Sequence, residues 1–152
     1  MKSAEDSLVE LRCAVALVRR DAVLLVQRDT GDWVLPGGRT RPHESMGACL
    51  RRETREETAL DIQPVGCGFV LEVDDSGSRW RIVELVFRAD KFDTDAPLTG
   101  EPGRTPMWAS SENLKNLALH PPIAGFLKDL SDGDVKYAHY LGNLWCPGPV
   151  VS

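Results

Sequence analysis

The sequence lacks the features that mark several large classes of protein. It has only four cysteines in 152 residues and no C-x-x-C pair, and its three histidines show no zinc spacing with one another or with cysteine. No apolar run approaches membrane-spanning length, and the polar N-terminus has no signal-peptide apolar core. We therefore expect reduced thiols, three of them buried, in a cytoplasmic protein without a membrane partner.

An excess of positive charge is also missing, since the formal net charge is −5. This balance argues against a nonspecific nucleic-acid binder with a broad basic face. The length indicates one domain over 1–152 that can bury a substantial core. We expect a loose lead-in at 1–9, a C-terminal extension at 132–152, and no separate DNA-binding module.

Short apolar and β-branched runs predict strands along most of the chain. The first two strands should form a hairpin, and the fourth, broken near Pro64 to Gly68, should be an edge or bulged strand. The predicted strands are 11–18, 22–27, 33–35, 61–73, 79–89 and 106–109, with a turn at 74–78. Helices are predicted after the N-cap Ser45, from Ser110, and at 123–130.

Three carboxylates dominate the first predicted helix. Glu53, Glu56 and Glu57 stand at i, i+3 and i+4 and so share one face. Burying like charges together is unfavourable unless cations compensate, and oxygen-rich clusters suit Mg²⁺ or Mn²⁺. Arg52 and Arg55 point away from the cluster centre on a helical wheel. The alternative is a solvated acidic face on a surface helix.

The spacing G-x5-E-x7-R-E-x2-E-E around these carboxylates resembles the Nudix box, GX5EX7REUXEEXGU with U aliphatic, of the Nudix hydrolases. The resemblance extends back through L-L-V-Q-R and G-D-W-V-L-P-G-G, to about residue 12. Ala59 stands where the family has glycine, and Thr54 where it has an aliphatic residue. Six of seven fixed positions match: Gly38, Glu44, Arg52, Glu53, Glu56 and Glu57.

The resemblance implies an α/β protein, a Nudix-type α/β/α sandwich with a central mixed sheet. It also implies a divalent-metal-dependent pyrophosphohydrolase, using Mg²⁺ or Mn²⁺, that cleaves the diphosphate linkage of a nucleoside diphosphate bonded to another group. The implied metal ligands are Glu53, Glu56 and Glu57, with Glu53 also a possible base, a backbone oxygen of Gly38, and Glu101 as a further candidate. Arg52 would orient Glu53 or Glu44, and Glu44 would support the box.

The two departures affect the end of the helix. The family glycine favours a left-handed conformation there. Ala59 in that conformation would cost about 1–2 kcal/mol, so we expect the turn to differ slightly.

Four residues outside the box are candidates for substrate binding: Arg28, Trp33, Glu84 and Arg81. Three of them have a structural alternative. Trp33 could belong to the core, Arg81 could be a surface charge, and Glu84 could be a sheet-surface carboxylate paired with a neighbouring arginine.

The sequence leaves the substrate open between a (deoxy)nucleoside triphosphate and ADP-ribose or another sugar nucleotide. A noncatalytic Nudix-fold domain that binds a nucleotide is the main alternative, and a structural protein with an acidic helix is the second. Tyr140 and Trp145 could cover a core edge, reach the partner in a homodimer, or stack on a base. We favour these three roles in the order given.

Overall fold

The computed structural model describes residue 6 and residues 8–74, 77, 79–133 and 139–147. Most predicted elements are present, with boundaries shifted by a few residues. The strands are β1 (Leu8–Ala16), β2 (Val18–Arg19), β3 (Ala22–Arg28), β4 (Trp33–Val34), β5 (Gly37–Arg39), β6 (Gln63–Val73), β7 (Trp80–Lys91), β8 (Arg104–Ser110) and β9 (His139–Asn143). The helices are α1 (Met46–Thr58), a 3-10 helix (Ser111–Asn116) and α2 (Ala124–Ser131).

Two sheets form the framework. The larger has the order β5-β1-β7-β6-β9, in which the β1–β7 and β6–β9 pairs are parallel and the others antiparallel. In the smaller sheet β3 pairs with β2, β4 and β8, all antiparallel. The predicted α/β class with a mixed sheet is therefore confirmed.

The predicted hairpin between the first two apolar runs is confirmed only at its tip. β2 pairs with β3 with Val18 opposite Val23, and the Leu24 N–H donates to the Leu17 carbonyl at 3.0 Å. β1 runs instead in the larger sheet, parallel to β7, with Arg12 opposite Glu84. Both faces of β1 are covered, which is why its sequence is a continuous apolar run rather than an alternating one.

Two apolar cores lie on opposite faces of β1. Ala14 and Ala16 belong to the core that also contains Leu127 of α2, whereas Cys13 and Val15 belong to the core that α1 completes through Leu50. Helices therefore cover both sides of the sheet framework.

All four cysteines are free thiols. Two of them, Cys13 and Cys49, are buried, whereas the sequence led us to expect three buried thiols.

β6 is irregular where the sequence predicts a break. Its pairing with β7 shifts register at three points between Gln63 and Phe69. It is not an edge strand, because β9 pairs along its other side. β9 lies within the expected C-terminal extension and has no periodicity that would have predicted it. The predicted turn at 74–78 falls partly outside the described residues.

The C-terminal aromatics are exposed rather than packed over the core edge. Tyr140 is 66% and Trp145 is 47% exposed, whereas Leu141 and Leu144 pack against the first core. No helix in the described part of the chain has the length and apolarity needed to cross a membrane.

Candidate active site

The start of α1 is fixed by its capping residue. The Ser45 hydroxyl accepts a hydrogen bond from the backbone N–H of Ala48 at 3.1 Å, as the sequence predicts. Just before the cap, Glu44 accepts one from the backbone N–H of Arg41 at 3.0 Å. The first turn of α1 and the carboxylate beside it are therefore held by local hydrogen bonds.

The end of α1 keeps the left-handed turn despite the missing glycine. Ala59 has φ 67° and ψ 9°, and its N–H donates to the carbonyl of Arg55 at 2.9 Å. The expectation that the turn would differ is wrong, so the chain carries a strain of about 1–2 kcal/mol here. Thr54, the other residue that differs from the family pattern, is fully buried, and its hydroxyl has no hydrogen-bond partner.

Two glycines bring the backbone against the carboxylates. β5 pairs with β1 so closely that a Cβ on Gly37 would lie 2.1 Å from the carbonyl oxygen of Cys13. A Cβ on Gly38 would lie 2.6 Å from the carboxyl carbon of Glu53. The backbone at these two glycines forms a short strand.

Arg52 connects three of the carboxylates. Its Nε and Nη2 donate to the two oxygens of Glu44 at 2.8 and 2.9 Å. Its Nη1 donates to Glu53 at 2.7 Å and lies 3.5 Å from an oxygen of Glu56. The wheel argument that Arg52 points away is wrong, because its long side chain folds back over the helix. The same wheel argument is correct for Arg55, which pairs with Asp61.

These contacts set the electrostatics on one side of the site. The hydrogen bonds from Arg52 lower the pKa of Glu44 to about 2, and Glu44 and Glu53 together raise the pKa of Arg52. Glu44 and Arg52 are therefore a charged pair at neutral pH, and Arg52 also donates to the Glu53 carboxylate. These contacts are compatible with the supporting role that the resemblance implies for both residues.

Glu57 is the most buried carboxyl of the site, at 5% exposed. Burial raises its pKa to about 8, and the hydrogen bond and charge of Glu53 act in the same direction. The Gly37 N–H and the charge of Arg104 oppose the shift. In contrast, the Glu56 side chain is 41% exposed and faces Arg52. Of the three predicted metal ligands, Glu53 and Glu57 therefore lie together and Glu56 lies to one side.

A cavity of ≈320 Å³ lies in front of the two adjacent carboxyls. Its wall includes Glu53 and Glu57, and it also brings in Glu101 from the loop before β8. That loop is tied to the end of α1, because the Thr99 N–H donates to the carbonyl of Thr58 at 3.1 Å. The remaining lining residues are Arg12, Arg28, Val34, Leu35, Gly37, Gly38, Arg39 and Arg104.

The donors in this cavity fit a hard divalent cation by their chemistry. They are carboxylate and backbone oxygens, the ligands that such ions take in proteins. Among the described residues, no three His, Cys, Asp or Glu side chains already form a ligand set. Glu53, Glu57 and the Gly38 backbone are the groups that would hold the ion. Glu101 lines the same cavity, whereas Glu56 lies outside its wall and faces Arg52.

Arg28 stands where this cavity meets a second one and lines both. Its Nε donates to Asp32 at 3.0 Å, and Thr30 donates to the same carboxylate at 2.5 Å. Asp32 is 1% exposed, and its bond to Arg28 lowers its pKa to about 2. Sequence reasoning missed Asp32, although its i+4 spacing from a candidate binding residue was a usable signal.

The second cavity, of ≈240 Å³, contains the candidate Glu84. It shares Arg12, Arg28, Val34, Leu35 and Gly37 with the first cavity, and Val73, Ile82, His120 and Pro121 complete its wall. Burial raises the pKa of Glu84, and the charge of Arg12 opposes this shift. The predicted surface pairing with an arginine is absent among the described residues, where no hydrogen bond or ion pair reaches the Glu84 carboxyl. Sequence reasoning did not find Arg12 or His120.

The other two substrate-binding candidates lie outside both cavity walls. Arg81 pairs with Glu72 and Asp74, each at 3.0 Å. Trp33 packs against the first core, and its carbonyl accepts a hydrogen bond from the His120 N–H at 2.9 Å. Trp33 therefore positions a residue of the second cavity through its backbone.

The chain is similar to known proteins in both sequence and fold. A family model described as NUDIX domain matches residues 10–130. Two curated relatives are named 8-oxo-dGDP phosphatase NUDT18. The zebrafish (Danio rerio) protein is 32% identical over 88% of this chain and 39% of its own length, and the mouse (Mus musculus) protein is 34% identical over 88% and 38%. The chain thus spans about two fifths of these relatives.

Among solved structures, the MutT protein from Methanosarcina mazei Go1 superposes with a TM-score of 0.71 over 88% of this chain and 100% of that one. The two sequences are 20% identical, so this similarity shows a shared fold.

Proposed function

The chain belongs to the Nudix family, and from this premise we propose that it is a divalent-metal-dependent pyrophosphohydrolase. Its substrate would be a nucleoside diphosphate bonded to another group, cleaved by water at the diphosphate linkage. The observation that carries the proposal is the adjacent Glu53 and Glu57 pair in a cavity that is also lined by arginines.

Each part of the site has a role in this reaction. A divalent cation held by Glu53, Glu57 and the Gly38 backbone would neutralise phosphate charge and stabilise the leaving phosphate. Arg28 and Arg104 line the same cavity and would bind phosphate oxygens through charged hydrogen bonds. Glu53, which Arg52 orients, would accept a proton from the attacking water. The products are a nucleoside monophosphate and the released phosphate-containing group.

The names of the curated relatives favour the oxidised guanine nucleotide 8-oxo-dGDP as the first substrate to test, and we add the corresponding triphosphate to the same class. A sugar nucleotide such as ADP-ribose is the second class. We further propose Mg²⁺ or Mn²⁺ as the cofactor and the cytoplasm as the location.

A phosphate-release panel tests the proposal, with inorganic pyrophosphatase added for the triphosphates and a phosphomonoesterase added for ADP-ribose and the sugar nucleotide, because their products contain no free phosphate. It would contain 8-oxo-dGDP, 8-oxo-dGTP, their unoxidised forms, ADP-ribose and a sugar nucleotide, each with Mg²⁺, with Mn²⁺ and with a chelator. We expect turnover of one class that the chelator abolishes. Folded protein that turns over no compound with either metal would instead favour a nucleotide-binding domain without catalysis.

A further inference from the structure

The second cavity holds two polar side chains that no other described residue satisfies. The Arg12 Nε is buried without a hydrogen-bond partner, and the Glu84 carboxyl has none within the described ranges. The two residues are direct neighbours across the parallel β1–β7 pair. A donor and an acceptor therefore stand side by side without a hydrogen-bond partner. The Arg12 Nε is the buried one of the two, and leaving a buried donor unpaired is costly unless a ligand completes it.

Apolar side chains form much of the remaining wall of this cavity, which Arg28 and His120 also line. Ile82 lies two residues from Glu84 on β7 and so shares its face of the sheet, and Val73 is opposite Ile82 on β6. Val34, Leu35 and Pro121 complete the apolar part of the wall. An apolar cavity with a few convergent polar groups is the usual form of a small-molecule site.

The position of the cavity relative to the carboxylates indicates which part of a nucleotide it takes. It shares Arg28 and Gly37 with the cavity in front of Glu53 and Glu57. A nucleotide with its phosphates at the carboxylates would therefore place its base beside Glu84.

We propose that Glu84 and Arg12 select a guanine-type base, with Glu84 accepting from its N1–H and N2–H and Arg12 donating to its O6. This inference rests on the proposed function for the placement of the phosphates. Among the common bases, only guanine presents two adjacent N–H donors next to an acceptor. Adenine and cytosine offer a single amino donor on that edge, and thymine has one N–H between two acceptors. Oxidation at C8 leaves this edge unchanged, so Glu84 and Arg12 would bind guanine and 8-oxoguanine alike.

Binding of the mononucleotides dGMP, dIMP and dAMP, measured by calorimetry without metal, tests the proposal independently of catalysis. Because dIMP lacks only the N2 amino group, it isolates one of the two hydrogen bonds to Glu84. We expect wild type to bind dGMP about ten- to a hundredfold more tightly than dAMP, with dIMP between them. Equal affinity for dGMP and dIMP, or no binding of any of the three, would overturn the proposal.

The variant Glu84→Gln keeps the side-chain volume but presents an N–H₂ group where an acceptor is required. It should reduce the ratio of dGMP to dIMP affinity to about one. The exposed carboxylate variant Glu112→Gln is the matched control and should keep the wild-type ratio. A Glu84→Gln protein with the wild-type ratio would refute the assignment of Glu84. Selective dGMP binding without turnover in the phosphate-release panel would refute the proposed catalysis and leave base selection standing.

Discussion

Asp32 should contribute about 2 kcal/mol to the stability of the fold at neutral pH. It is 1% exposed, it accepts hydrogen bonds from Arg28 and Thr30, and its pKa is lowered from 3.8 to about 2. Since each pKa unit corresponds to about 1.36 kcal/mol, a pKa difference of that size corresponds to about 2 kcal/mol of stability. The folded pKa lies below the unfolded one, so the contribution is present above pH 4 and is lost as the pH falls towards 2.

Urea unfolding of wild type and Asp32→Asn across pH 7 to 3 measures this contribution. The free energy of unfolding should differ by about 2 kcal/mol at pH 7 and by about half of that near pH 3. Asp61→Asn is the matched control, since the Arg55–Asp61 pair is largely exposed and should be worth less than about 1 kcal/mol. A pH-independent difference, or one below about 0.5 kcal/mol at pH 7, would refute the reasoning.

Four further substitutions test the local geometry. Ala59→Gly should raise the free energy of unfolding by about 1 kcal/mol by relieving the positive φ; unchanged urea unfolding would show that the turn is unstrained. Thr54→Val should add about 1 kcal/mol because the buried hydroxyl has no partner, whereas Thr58→Val should destabilise, because the Thr58 hydroxyl bonds two backbone groups. Gly38→Ala should lower kcat at least about tenfold, because its Cβ would displace the Glu53 carboxylate. Activity and circular dichroism equal to wild type would contradict that contact.

Much of the site could be predicted because its information is local in sequence. The spacing of Glu53, Glu56 and Glu57 within one helix places them on one face, and Ser45 marks where that helix begins. A helical wheel gives only the direction of each Cβ, however. It therefore misplaced Arg52, whose long side chain folds back over the helix, and it did not separate Glu56 from the other two.

The second cavity could not be predicted because its residues meet only through long-range strand pairing. Arg12 and Glu84 become neighbours when β1 pairs with β7 in parallel, and a strand pattern specifies neither the partner nor its direction. For the same reason the expected hairpin is limited to its tip, where β2 pairs with β3. His120 reaches the cavity through a backbone contact with Trp33, for which the sequence carries no periodic signal.

The most direct test of the account is the rate of phosphate release from 8-oxo-dGDP with Mg²⁺ or Mn²⁺ for wild type, Glu57→Gln and the control Glu112→Gln. The account predicts that Glu57→Gln lowers kcat by about a hundredfold or more while its melting temperature stays at or above that of wild type. Glu112→Gln should match wild type. A folded Glu57→Gln protein whose kcat remains within about threefold of wild type would contradict the assignment of this carboxylate to the reaction.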